Sequence, residues 1–531
     1  MSNIEKPKSV KPWSNEMYDW NDKVSELMKA EIQIQIEKNK DDFDKIDANE
    51  DGYISREEYT NAKKSAGVEK DDLNWFLRLI TLGDRFDIKD FWDRVKKSFV
   101  ESNDIEGISL YVHLPFCESL CTFCACHKKI TKRHEVEQPY IETVLKEWDL
   151  YCDLLEERPK IREIHLGGGT PTYFSSENLK KLLNGIFKRA DKFEIFDYSF
   201  EGHPNHTSEE QLQTLYDLGS RRNSFGIQDY DPVVQKAINR IQSFEQVKKV
   251  NDWSREIGYN SISHDLIFGL PFQTEKSIRS TIKNTIALKP DRIAYYSYAH
   301  VPWIKGVGQR GFDDNDLPKD DEKRELYEEG KKQLAKNGYH EIGMDHFALE
   351  NDSMYTSFKE EKLHRNFMGY TASKTQLMIG LGVSSISDSW HSFAQNEKTI
   401  EDYYARLADN QLPVFKGHLL TSEDLIIRKH ILNLMCNLET EWNLGLPLLI
   451  RKEIIGRLQE MVADQLIEIT DNKVIVKEEG RMYVRNICMA FDLKLIENKP
   501  KTFVNYSSKS KDVALIGFTS GTTGLPKMTA H

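Results

Sequence analysis

Hydrophobic and polar positions divide the chain into blocks of different spacing. Residues 1–23 are polar, carry Pro7, Pro12 and several lysines, and read as a loose leader. Residues 24–46 and 71–80 have helical spacing, and a polar join at 101–107 closes this part. From Ile108 short β-rich runs take over, at 108–116, 161–169, 194–202, 220–228, 261–269 and 292–300. Amphipathic helical stretches lie between them at 136–157, 175–190, 208–218, 243–257 and 275–289, with another at 320–338. Such alternation predicts right-handed strand–helix–strand units and a parallel sheet. The expected fold class is α/β, with a partial (β/α)6 TIM-like barrel rather than a closed eightfold one. After about residue 420 the pattern turns helical again. Residues 449–477 alternate helix and short strand, as a small winged-helix-like domain does.

The run ends carry unusual groups: a cysteine loop, Gly167–Gly169, Glu201, Gln228, Asp265, then Tyr298 and His300. Parallel α/β barrels place their active sites at the C-terminal rim of the strands. Six polar ends in register predict a site there.

Composition narrows the class. The chain has 531 residues, 39% hydrophobic and 30% charged, so it can bury a core. Lys and Arg number 73 against 85 Asp and Glu, for a net charge of −12. That balance argues against a nucleic-acid binder. No apolar run reaches the roughly 18 residues of a membrane helix, and the first twenty residues have no apolar signal core. A cytoplasmic protein without membrane contact, and a monomer, is the expectation. Seven cysteines, four of them at Cys117, Cys121, Cys124 and Cys126, do not make a secreted disulfide framework. Cys152, Cys436 and Cys488 lie in apolar stretches and read as core thiols.

Cys117, Cys121 and Cys124 have the spacing C-x3-C-x2-C within YVHLPFCESLCTFCACHKKITK (111–132). Three thiolates on one loop can hold three irons of a [4Fe–4S] cube and leave the fourth open to a non-protein ligand. A zinc site completed by Cys126 or His127, or plain buried thiols, are the alternatives that spacing leaves open.

C-x3-C-x2-C after a first strand resembles the signature of radical S-adenosylmethionine enzymes. Neighbouring motifs are narrower: HLGGGTPTY (165–173), GIQDYDPVVQKAINR (226–240), DLIFGLP (265–271), YAHVP (298–302), GMDHFA (343–348), LHRNFMGYT (363–371), GLGVSSIS (380–387) and GRMYVRNICMAFD (480–492). Together they resemble the oxygen-independent coproporphyrinogen III oxidase family over 108–492. The resemblance implies that Cys117, Cys121 and Cys124 ligate the cluster, with Tyr111 and Phe123 flanking it. It implies that Gly167, Gly168, Gly169, Thr170 and Pro171 run along S-adenosylmethionine. Glu201, Gln228, Arg240 and Asp265 match positions that hold a first or second S-adenosylmethionine, and Ile386 with Gly168 matches positions near the second. Cys126 matches the family's extra, non-ligating cysteine. Cys126 and Glu201 are the candidate catalytic residues. The implied reaction is oxidative decarboxylation of two propionates of coproporphyrinogen III to vinyl groups, giving protoporphyrinogen IX. A porphyrinogen substrate and an electron donor such as flavodoxin or ferredoxin follow. Lys128, Lys129, Lys132 and Arg133 are candidates to hold propionates, or form a solvated basic turn. Two readings compete: the same radical chemistry on another substrate (methylation, cyclopropanation or heme ring opening), and a calcium-responsive tetrapyrrole carrier without turnover.

Three features depart from the family pattern. Its N-terminal Arg-Tyr-Thr-Ser-Tyr-Pro-like run is absent, and its Glu-Val-Asp-Pro is Glu201-Gly202-His203-Pro204 here. Residues 47–58 match an EF-hand loop: Asp47, Asn49 and Asp51 at positions 1, 3 and 5, Gly52 at the turn, the Tyr53 carbonyl, and Glu58 at position 12. Ca2+ is expected there, whereas 79–90 reads as a degenerate second hand that does not bind. Residues 511–527 resemble the phosphate-binding loop of AMP-forming acyl ligases, with Met528 replacing a glycine. The expected domains are a 1–23 leader, a 24–100 α-helical EF-hand-like pair, a 108–400 barrel, a 401–495 mainly helical C-terminal domain, and a 496–531 linker with a truncated ligase-like stub.

Overall fold

The strands of the main sheet follow the predicted order. In the computed structural model the described residues are 88–302 and 308–492. The leader, the calcium loop (Asp47, Asn49, Asp51, Tyr53, Glu58) and the ligase-like stub lie outside them.

The first six strands are β1 (Ile108–Leu114), β2 (Lys160–Gly168), β3 (Asp191–Gly202), β4 (Arg222–Gln228), β5 (Ser261–Phe268) and β6 (Arg292–Ser297). They pair in parallel in that sequence. The helices are α2 (Glu137–Leu154), α3 (Ser176–Arg189), α4 (Glu209–Asp217), α5 (Phe244–Ile257), α6 (Glu275–Ala287) and α7 (Asp320–Lys336), preceded by α1 (Ile88–Ser102). Local chemistry starts several of them: Ser175, Ser208, Ser243 and Thr274 each accept a backbone N–H three residues on. β1 is buried along its whole length, as a parallel strand covered on both faces must be.

The sheet is larger than the six units. Its twelve strands include β7 (His340–Gly343), β8 (His346–Ala348), β9 (Leu377–Leu381), β10 (Ile386–Ser389), β11 (Ser392–Asn396) and β12 (Val414–Leu419). β8 and β7 extend the β6 edge as an antiparallel hairpin. β9 returns to lie parallel beside β1, and β10–β12 continue antiparallel from it.

The sheet runs past residue 400, because β12 pairs with β11 through Leu419. At the start of the described residues α1 packs on the same sheet. It lies against β9–β12 and buries Phe91, Val95 and Phe99. Its amphipathic stripe is satisfied by the sheet, a non-local partner that helical spacing alone does not name.

The C-terminal part contains α8 (Ser422–Asn437), α9 (Leu448–Ala463), α10 (Val484–Phe491) and the hairpin Ile467–Ile469 with Lys473–Val476. A strand at Glu439–Glu441 completes a three-stranded sheet. Its core continues into the β7–β8 edge: Leu434, Cys436, Ile454, Leu458, Ile487, Cys488 and Phe491 pack with Ile342, Met344 and Ala348. The three thiols read as structural, Cys152, Cys436 and Cys488, are buried. Among the described residues no helix is long and apolar enough to cross a membrane.

Candidate active site

A cavity of about 240 Å³ opens at the C-terminal ends of β1–β6. Each strand contributes at or just beyond its end: the cysteine loop after β1, Gly168–Pro171 after β2, Glu201 from β3, Gln228 from β4, Asp265 and Ile267 from β5, and Tyr296 and Ser297 from β6. Cys117, Cys121, Phe123, Cys124 and Cys126 line it together with Arg240.

The cysteine loop is tied down at both ends and in the middle. Lys129 N donates to Pro115 O at 2.8 Å and Thr131 N to Cys117 O at 2.9 Å. The Gly169 and Thr170 amides bond the Leu114 and Phe116 carbonyls at 2.8 and 3.0 Å. A Cβ on Gly169 would stand 2.5 Å from Pro115 O, so glycine is required for this close approach of two backbones. In the middle, Thr122 N donates to Ile238 O at 2.9 Å and Thr122 Oγ1 to Ala237 O at 2.9 Å. Asn239 Nδ2 donates to Leu120 O at 2.7 Å. The segment after β4 thus clasps the loop that carries the thiols. Arg240, next in the chain, donates to Gly226 O and lies 3.5 Å from Cys121 Sγ.

Behind the loop stands a histidine relay. Tyr111 and His113 are buried on β1. His113 Nε2 faces the His127 carbonyl at 3.0 Å, which only accepts, so Nε2 carries the proton and Nδ1 accepts from Tyr111 Oη at 3.1 Å. Burial lowers the His113 pKa to about 3, and it is neutral. Glu201 accepts from the Gly168 amide and lies 3.3 Å from His165 Nε2. Asp265 accepts from Ser224 Oγ at 2.8 Å, and burial pushes its carboxyl up to about 7. Within the loop, the thiol of Cys126 hydrogen-bonds Cys124. That bond lowers the Cys124 pKa and raises that of Cys126. Burial pushes Cys117 up to about 12.

The donor set fits a [4Fe–4S] cluster. Three thiols of one loop face one cavity, and metal binding deprotonates a coordinating thiol whatever its unliganded value. Arg240 beside Cys121 supplies the N–H to sulfur contact that tunes such clusters.

Most of the expected residues meet here, with corrections. Tyr111 and Gly167 sit beneath the lining: a Cβ on Gly167 would meet the Tyr111 ring and the Glu201 carboxylate. Ile386 does not line the cavity. It opens β10 and lines a separate, smaller hollow with Phe367, Phe393 and Lys416, because β10 turns away from the rim antiparallel to β9. Of the four basic residues after the cysteines, Lys128 reaches the cavity, but its ammonium binds the Cys124 and Cys126 carbonyls at 3.1 and 3.2 Å. Lys129, Lys132 and Arg133 are exposed and off the wall, with Lys129 3.9 Å from Glu401. Residues that the quoted runs contained but the strand-end argument missed are His203, Ala299, Asp345 and Arg485, and His206 lies in none of those runs. Arg485 comes from α10, and nothing local in its helix announces a cavity wall.

A cysteine-bearing loop over the open end of a parallel half-barrel defines a radical S-adenosylmethionine fold, and a model of the Radical SAM superfamily matches residues 111–284. An oxygen-independent coproporphyrinogen III oxidase of Synechocystis sp. is 36% identical over 431 residues, covering 79% of this chain and 91% of that protein. The Escherichia coli K12 protein of the same name is 34% identical over 414 residues, covering 77% and 90%. The solved coproporphyrinogen III oxidase (HemN) from Escherichia coli, a radical SAM enzyme, superposes with a TM-score of 0.73 at 33% identity, over 77% of this chain and 94% of that one. This chain belongs to the oxygen-independent coproporphyrinogen III oxidase family.

Proposed function

We propose that the chain is a radical S-adenosylmethionine oxidoreductase that converts two propionates of coproporphyrinogen III to vinyl groups. The observation that carries the reading is the convergence of Cys117, Cys121 and Cys124 with Gly168–Pro171, Glu201, Gln228, Arg240 and Asp265 on one cavity. When bound, the cluster and S-adenosylmethionine supply one-electron cleavage of the sulfonium carbon–sulfur bond and a 5′-deoxyadenosyl radical able to take hydrogen from a propionate β-carbon.

The chain's own residues do the rest. Cys117, Cys121 and Cys124 are the cluster ligands, and Cys126 stands beside Cys124 as the non-ligating neighbour. Glu201 and Asp265 are carboxyl groups on the cavity wall suited to the ammonium, ribose or sulfonium of S-adenosylmethionine. Gln228, with φ 67, is held in a left-handed turn that sets its side chain on the rim. Phe123 packs with Tyr296 and Tyr298 against the Val234, Ile238, Ile267 and Leu270 cluster, which keeps one side of the cavity apolar and excludes water from a radical. A small one-electron donor protein such as a flavodoxin or ferredoxin reduces the cluster. The 47–58 loop carries a separate proposal of Ca2+ binding, for which Glu58→Ala with calcium titration is the check.

Anaerobic reconstitution and reduction with coproporphyrinogen III tests the main reading. Methionine, 5′-deoxyadenosine and a product lacking two CO2 are expected. Cleavage of S-adenosylmethionine with an unchanged porphyrinogen would move the chemistry to another substrate.

A further inference from the structure

Among the described residues that line the cavity, the lysine and arginine side chains are Lys128, Arg240 and Arg485. Lys128 is tied to loop carbonyls, and Arg240 to Gly226 O beside Cys121. Arg485 differs. It enters from the C-terminal part, on α10, and meets Asp345 Oδ2 at 3.2 Å. Asp345 is itself in an unusual place. It follows Met344 at the tip of the β7–β8 hairpin, with φ values of 29 and 69 at the two residues. Such a mirror-image turn favours Asn-Gly, and methionine is strained there. The turn fixes the Asp345 carboxyl at the cavity wall behind the guanidinium.

The charge balance around that pair favours an anion. Burial raises the Asp345 carboxyl above its ordinary range; Arg485 opposes that most, Glu341 adds to it, and Arg365 and Lys323 oppose it less. Glu341 is itself paired with Lys331 at 2.6 Å. Of these cations Arg485 shares the cavity wall with Asp345, whereas the Lys323 ammonium donates to Tyr298 O at 2.6 Å. The pair is not needed to dock the C-terminal part, which shares an apolar core with the β7–β8 edge. A buried ion pair in that position adds little stability of its own.

We infer that Arg485 is a specificity residue that grips a carboxylate of the tetrapyrrole, with Asp345 fixing its fork from behind. A planar guanidinium is matched to a carboxylate by two parallel hydrogen bonds. This assignment rests on the proposed porphyrinogen substrate. It replaces the post-cluster lysines, which the fold turns toward backbone and solvent.

The test compares wild type, Arg485→Lys and Arg485→Gln, all reconstituted with cluster. Readouts are KM and kcat for coproporphyrinogen III, cluster absorbance, thermal midpoint, and fluorescence-detected binding of coproporphyrin III and its tetramethyl ester. Arg485→Gln is expected to raise KM and weaken coproporphyrin III binding roughly tenfold to a hundredfold. Cluster absorbance should stay at the wild-type level. Arg485→Lys should fall between, because it keeps the charge and loses the fork. The tetramethyl ester, which lacks the carboxylates, should bind wild type and Arg485→Gln equally weakly. Wild-type affinity for coproporphyrin III in a folded Arg485→Gln protein overturns the assignment. So does a variant that loses affinity only in step with its thermal midpoint, with Arg485→Lys at wild-type KM. A wild-type enzyme that cleaves S-adenosylmethionine but neither binds nor turns over the tetrapyrrole overturns the substrate reading, and this assignment with it.

Discussion

Two walls of the same cavity are built in different ways. The wall of thiols is one loop, Cys117 to Lys128, held by short backbone hydrogen bonds to β1, to the Gly168–Thr170 turn and to the segment 237–239. The facing wall draws Tyr296 from β6, Asp345 from a hairpin tip and Arg485 from α10. The first is rigid because adjacent residues share one set of anchors. The second exists only when three distant segments have docked. The difference teaches that one wall takes its side chains from a single stretch of sequence, and the other from the assembly of distant segments.

The strongest way to break this comparison is through the thiols. Cys117→Ser, Cys121→Ser or Cys124→Ser should each abolish 5′-deoxyadenosine formation, by roughly a thousandfold or more. Cys126→Ser should retain the cluster's iron and sulfide content. Loss of iron in the Cys126 variant to the same degree would make it a ligand. Gly169→Ala comes next. Its Cβ would meet Pro115 O and C at 2.5 and 2.6 Å, and both are backbone atoms that cannot swing aside. A loss of about 2 kcal/mol or more in denaturant unfolding, with poor cluster retention, is expected. A wild-type midpoint and full cluster content would show that the thiol wall is less tightly framed.

pH distinguishes the carboxyls. The folded pKa of Asp265 is raised by burial to about 7, above its ordinary value. The unfolded chain therefore gives up that proton first as pH rises. The stability tied to Asp265 is present below the ordinary carboxylate range and is lost by the time pH passes about 7. Between pH 4 and 7.5, wild type should lose stability relative to Asp265→Asn by about 3–4 kcal/mol. A constant gap in calorimetry would contradict this. Over the same range S-adenosylmethionine, a cation, should bind wild type more tightly as the carboxyl ionises.

The smallest effect sharpens the clasp. Asn239→Ala removes one partly exposed bond to Leu120 O, so stability should fall by about 0.5–1 kcal/mol. The cluster's reduction potential, read by spectroelectrochemistry, should move more in Arg240→Gln than in Asn239→Ala, because Arg240 lies against Cys121 Sγ itself. Equal shifts would mean that the clasp acts only through loop position.

Much of the barrel and of the thiol wall was legible in the chain. The six β-rich runs became β1–β6, and the polar ends Gly168, Glu201, Gln228 and Asp265 met on one rim. Period-two and period-3.6 patterns report which face of an element is buried, and parallel pairing with right-handed crossovers then leaves few ways to order the strands. The cysteines were legible because their requirement is local, three candidate ligands on one loop, whereas the close approach that requires Gly169 is to Pro115, far back in the chain.

The tertiary structure decided what those patterns do not encode, namely which buried face meets which. It set β9 beside β1 across more than 250 residues of chain, as the pairing of Tyr111 with Gly380 shows. It put α1 on the sheet, turned Ile386 away from the cavity and brought Arg485 to Asp345. An amphipathic stripe states that it must be covered, and an arginine that it must be satisfied. The partner in each case lies far along the chain, and its choice is made by the packing of the whole rather than by neighbours in sequence.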